Sequence, residues 1–175
     1  MASVDFQEKL NGLWRGALVH VSTLVLLLMS TLSFAVPYLS QVRPFLILMA
    51  VYYWAIFRPT IMPPVVVFLI GLMLDILTYA PLGLHALLLV AVQWVVRGQR
   101  VFLTGQPFVM IWIGFGFTAT LYASAQFLIY LMVTSGVPLP TQALVASTAL
   151  TFSLFPPVSL IFVWLHRLLP HAARA

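Results

Sequence analysis

From Gly16 to Leu165 the chain is a series of apolar runs, interrupted by short stretches that hold proline, glycine or arginine. This pattern constrains the fold more than any motif. Inside a bilayer the backbone must bond within its own segment, so each run reads as a helix. The charge content points the same way. Only 6% of residues are charged and mean hydropathy is +1.10, whereas a soluble domain carries about a quarter charged residues. Such a surface cannot be covered in water, and the chain reads as an all-α integral membrane protein of one domain. The net charge of +5 comes from single basic residues at the ends of apolar runs. These are topology signals, so the lipid bilayer is the expected surface and no nucleic acid is. With no cysteine in the chain, disulfides, thiolate nucleophiles and cysteine metal sites are excluded together.

Residues Met1 to Arg15 form a short amphipathic lead, followed by a run from Gly16 to Val36 that stops at Pro37. Ser33 and Ala35 mimic a signal-peptide cleavage pattern. The run, however, has the roughly 20 residues of a membrane span rather than the 7–15 of a signal core, and a retained first helix is expected. Further segments are expected at Phe45–Phe57, Met62–Thr78, Gly83–Val96, Phe108–Thr134 and Gln142–Leu165, with a polar connection over Arg97–Pro107. Pro63-Pro64 suits a first helical turn, whereas Pro156-Pro157 lies deep in the last run and should kink it. Tyr52, Tyr53 and Trp54 crowd the end of the second run, a composition that favours the headgroup level.

The second and fourth runs are short for a crossing, and charge placement arbitrates. With six crossings and a cytoplasmic N-terminus, Lys9, Arg15, Arg58, Arg97, Arg100, Arg167 and Arg174 are cytoplasmic and only Arg43 is external. That is the bias the positive-inside rule expects, and it dissolves if either short run is dropped. The expected organisation is a cytoplasmic lead at 1–15, six transmembrane helices over 16–166 and a basic cytoplasmic tail at 167–175.

Asp75 is the only acidic residue after Glu8. A carboxylate within a span is costly, about 2.5–3.5 kcal/mol at mid-helix, and marks a functional site by default. The alternative is that Asp75 lies near a helix end and only holds two helices together. The topology places it about one turn, roughly 5 Å, inside the outer surface. Arg43 and His85 begin the neighbouring segments at the same level. An Arg43–Asp75 pair is therefore expected, with His85, Thr78 or Tyr38 completing its hydrogen bonds. The competing reading has Arg43 reaching lipid phosphate instead. Gln126, midway along the fifth run, suits an interhelical hydrogen bond. Gly116/Thr120/Ser124 and Ala143/Ser147/Thr151 repeat at i, i+4, a close-packing pattern that serves either this chain or a partner helix.

Enzymatic readings lack their parts. There is one intramembrane carboxylate without a partner base at recognisable spacing, no phosphate-binding glycine loop and no histidine pair at ligand spacing. No cofactor, metal or catalytic residue is expected, and a binding or scaffold subunit is favoured.

Arg43-Pro44, Tyr52-Tyr53-Trp54, Pro59, G-L-x-x-D at Gly71–Asp75 and Leu82-Gly83 resemble, in order and spacing, the rod shape-determining MreD family of bacteria. The likeness covers residues 43 to 90. The chain departs from the family where members often carry glycine soon after the aspartate and this sequence has Tyr79-Ala80-Pro81. The resemblance implies a non-enzymatic inner-membrane subunit of the elongation complex, needed for rod shape and lateral peptidoglycan synthesis. Its implied partners are MreC, MreB and the elongation-specific transpeptidase and transglycosylase. It also implies a fold resembling the substrate-binding subunits of energy-coupling-factor transporters, which keeps a small-molecule-binding transporter subunit as the alternative. Matching positions are Asp75, Gly71, Arg43, Pro44, Trp54, Pro59 and Gly83; the expected structural and partner-docking set is Asp75, Arg43, Gly71, His85, Gly83, Trp54 and Pro59.

Overall fold

The computed structural model describes residues 21–30, 42–60, 62–133 and 140–168, with side chains as far as Leu165. These residues form helices and no strand: α1 (Val21–Ser30), α2 (Leu46–Phe57), α3 (Pro64–Thr78), α4 (Leu84–Gly98), α5 (Arg100–Thr104), α6 (Phe108–Val133) and α7 (Thr141–Leu168). Tyr38, Ser33, Ala35 and the basic tail beyond Leu168 lie outside the described residues.

Helix α2 is the core. Every residue from Leu46 to Ile56 is buried, as expected of a helix that is apolar on all sides, and α4, α5, α6 and α7 pack around it. Tyr52, Tyr53 and Trp54 are therefore interior residues rather than lipid-facing anchors. The Tyr52 hydroxyl donates to the Ile111 carbonyl on α6 at 3.1 Å, and its ring meets Phe115 and Phe155 edge-on. Tyr53 stacks on Phe162 at 5.0 Å. The Arg97–Pro107 connection also differs from expectation. It contains α5, whose Leu103 is buried against the core.

Helices α3 and α4 form a hairpin closed by residues 79–83. Their approach is set by Gly71, where an added Cβ would stand 2.4 Å from the Cα of Ala86. The hairpin turn is a Schellman ending. Tyr79 takes the left-handed conformation (φ 55°), Ala80 N–H donates to the Asp75 carbonyl and Tyr79 N–H to that of Ile76. Glycine is the usual residue at this position, and Tyr79 stands there instead.

Helices α6 and α7 form an antiparallel pair, with Trp112 stacked on Phe152 and Phe108 and Phe115 stacked on Phe155. Pro156 and Pro157 lie within α7, which stays helical through them. Pro156 has no N–H to give the carbonyl of Phe152 four residues earlier, and the indole N–H of Trp112 donates to that carbonyl at 3.0 Å. The small-residue repeats divide their work. Gly116 leaves room for the Phe152 ring. Ser147 and Thr151 are buried acceptors for the backbone N–H groups of Arg43 and Phe45, at 3.0 and 2.9 Å, and so secure the entry to α2.

The polarity of the molecule is inverted relative to a soluble domain. Asp75, His85, Gln93, Ser147, Thr151 and Ser159 are buried, whereas Phe117, Leu121, Met132, Leu160 and Trp164 are exposed. Apolar exposure on this scale marks a membrane or partner surface. Helices α6 and α7 are long and apolar enough to cross a membrane. At 1.5 Å per residue, α2 spans only about 18 Å and α3 and α4 about 22 Å, against a hydrocarbon core of about 30 Å.

Candidate functional site

The hairpin brings Asp75, Gly71, Gly83 and His85 together. Asp75 lies in the last turn of α3, and the tight reversal returns the chain so that the start of α4 faces its carboxylate. Gly83, with φ 93°, precedes the helix as its cap residue and has no side chain to offer. The carboxylate supplies the cap from across the hairpin. The N–H of Gly83 donates to Oδ2 at 2.9 Å, and the N–H of His85 donates to Oδ1 at 2.9 Å. Two of the N–H groups that every helix start leaves unpaired are thus satisfied, and a negative charge sits at the positive end of α4. Gly71 contributes the close approach of α3 to Ala86 that brings these groups within reach.

The third bond is from the imidazole. His85 Nδ1 lies 2.7 Å from Asp75 Oδ1, and the carboxylate is fully buried. An ionised carboxylate only accepts, so Nδ1 carries the proton and Nε2 of the neutral ring is an acceptor. The Gln126 amide of α6 stands there, its Nε2 3.4 Å from His85 Nε2. The expected interhelical role of Gln126 is thus met with His85 as its counterpart. The polar chain runs Asp75–His85–Gln126 across α3, α4 and α6.

Arg43 is not in this chain. Its side chain is exposed, and the side-chain partner of Asp75 is the His85 ring. The expected Arg43–Asp75 pair is corrected: among the described residues Asp75 accepts from Gly83 N–H, His85 N–H and the His85 ring, all nearer in sequence, while the backbone N–H of Arg43 donates to Ser147 on α7. Thr78 is not a ligand of Asp75 either, since its hydroxyl donates to the Leu74 carbonyl of its own helix at 2.7 Å. Arg43 and His85 nevertheless line the same half-open cavity of about 280 Å³. Gln126, Tyr130 and the first turns of α2, α4 and α7 form its other walls.

Trp54 and Pro59 belong to the other end of α2. Trp54 is fully buried against Tyr53 and Phe162, and Pro59 is buried in the turn after the helix. Pro44 lines the cavity, and its carbonyl accepts from Leu46 N–H at the start of α2. Near that other end Gln93, buried on α4, donates to the Met62 carbonyl and ties α4 to the α2–α3 connection. Sequence reasoning missed Ser147 and Thr151 as acceptors for the backbone entering α2, since a hydroxyl at i, i+4 reads as close packing. It also missed Trp112, although Pro156 announces a free carbonyl at Phe152. Among the described residues no group of three metal-ligating side chains occurs. No protein-family model, curated protein or solved structure matches the chain.

Proposed function

We propose that this protein is a non-enzymatic scaffold of the bacterial inner membrane, of the MreD kind, that holds MreC and the wall synthases of the elongation complex in place. One observation carries the reading. The single carboxylate of the helical region is fully buried and accepts from Gly83, His85 N–H and the His85 ring, so its bonding capacity is spent on shaping one end of a hairpin. A catalytic acid or base must reach a reacting atom; this one faces a helix start. The rim formed by the α3–α4 turn, with exposed Tyr79 and Leu82, is then a rigid docking surface for a partner's membrane helix.

The proposal includes six crossings with both termini cytoplasmic. The short helices favour it only with flanking residues or a thinned bilayer, and α2, being enclosed by protein, does not face lipid along its length. Because the chain has no cysteine, introduced thiols report topology cleanly. Leu82→Cys should react with an impermeant maleimide on intact cells, and Arg100→Cys only after permeabilisation; labelling of both from one side would remove the topology. The function is tested by depletion. Loss of rod shape and co-purification of an MreC-type partner are expected, and cells that stay rod-shaped would count against the scaffold. A solute-binding transporter subunit is the second reading, favoured by the half-open cavity beside His85.

A further inference from the structure

We propose that the stretch from Trp94 to Thr104 is a binding surface for anionic phospholipid head groups, lying along the membrane surface instead of looping into water. The inference rests on the membrane reading, and stands whichever side of the membrane the stretch faces. Helix α6, long and apolar enough to cross a membrane, starts at Phe108, three residues after α5 ends. Helix α4 ends at Gly98, with only Gln99 between it and α5. Leu103 is buried in the core and pins α5 to α2. A five-residue helix tied at both ends and along one side in this way is held at the level where α6 enters the bilayer.

The side chains presented outward suit that level. Val101 is 79% exposed and Phe102 63%, beside the buried Leu103, and Trp94 is 78% exposed one turn before α4 ends. In water these would be three uncovered apolar side chains. At the membrane surface the indole takes the place where such rings concentrate, and Val101 and Phe102 dip toward the acyl chains as on an interfacial helix. Arg97 and Arg100 are exposed on the same stretch. The described residues hold one carboxylate, Asp75, bound to His85 at the start of α4. Arg97 stands twelve residues further along that helix, about 18 Å away, so the carboxylate is out of its reach. A guanidinium grips a phosphate through two parallel N–H bonds. A net negative head group adds an attraction to each arginine that a neutral one lacks. An acidic peptide in water would answer the two cations and leave the apolar trio uncovered; an anionic lipid answers both.

The cysteine-free chain allows the test with single introduced thiols. Phe102→Cys and, separately, Leu121→Cys, exposed midway along α6, carry a bimane fluorophore. The full chain is reconstituted in phosphatidylcholine with a minor share of phosphatidylglycerol, one lipid or the other having brominated chains that quench on contact. At Phe102→Cys the quenching should report phosphatidylglycerol enriched roughly fivefold over its share at low salt, falling toward that share at high salt. Leu121→Cys should report the share itself. Adding Arg97→Gln and Arg100→Gln should abolish the enrichment at Phe102→Cys while both lipids still quench it. No enrichment there overturns the proposal, as does an enrichment that survives the two arginine substitutions or appears equally at Leu121→Cys. Quenching of Leu121→Cys but not of Phe102→Cys by either lipid places the stretch in water and overturns the proposal alone. Quenching at neither position would remove the membrane reading itself.

Discussion

Asp75 caps α4 with its carboxylate, and the consequences of changing it follow from its three donors. Asn in its place keeps one acceptor but turns an NH₂ toward either Gly83 or His85, leaving a buried donor unpaired and the helix start without its negative charge. Asp75→Asn should cost about 2–3 kcal/mol, read as a lowered melting temperature in detergent; an unchanged value would mean that the carboxylate does not hold the hairpin. Tyr79 makes the opposite case. It is 97% exposed, so it contributes no packing, and its left-handed backbone costs a non-glycine residue about 1–2 kcal/mol. Tyr79→Gly should stabilise the protein by about 1 kcal/mol in the same assay, the gain in native backbone ease being offset in part by the freer unfolded chain. The importance of Asp75 was legible as a lone acid in an apolar run. Its bond to the His85 ring was legible as well, as one of three side chains expected to complete its hydrogen bonds. The Gly83 and His85 N–H donors were not, because charge reasoning pairs a carboxylate with the nearest arginine and overlooks backbone N–H groups, which carry no sequence signature.

Helix pairs in this protein are joined by backbone as much as by side chains. At Gly71 an added methyl meets the Cα and N of Ala86 at 2.4 and 2.7 Å, so the obstacle is backbone. Gly71→Ala should force α3 and α4 apart and lose several kcal/mol, in the range of overpacked cores and broken polar contacts combined. Adding Ala86→Gly should not rescue it. Rescue, measured by recovery of the melting temperature, would show that the contact is between side chains. The α6–α7 pair offers a cleaner cycle. Trp112→Phe removes the donor to the Phe152 carbonyl and should cost about 1–3 kcal/mol. In a Pro156→Ala background the restored N–H reclaims that carbonyl, and the same substitution should cost less. A double-mutant cycle with no coupling would show that the indole bond does not compensate the proline. Segment positions were readable from hydropathy to within a few residues for α2 through α7. The five-residue α5 was not, since Arg97–Pro107 reads as polar until Leu103 is seen to dock on α2.

For the molecule as a whole, the sequence by itself determined that the described residues are helical, that much of their outer surface is apolar, and roughly where the helices other than α5 lie. Those properties follow from the local rule that a backbone out of water must bond within its own segment. It also singled out the carboxylate together with Arg43 and His85, which the structure brings to one cavity. Only the tertiary structure decided that α2 is enclosed by its neighbours, so that Tyr52, Tyr53 and Trp54 pack inward. Hydropathy carries no information on whether an apolar face meets lipid or protein, since both are equally dry. Tertiary structure likewise decided that Asp75 bonds His85 and a helix start, while Arg43, with no carboxylate partner among the described residues, lines the cavity beside them. Which of several donors within reach a carboxylate takes depends on the turn that presents them, and that turn exists only once α3 and α4 have closed on Gly71.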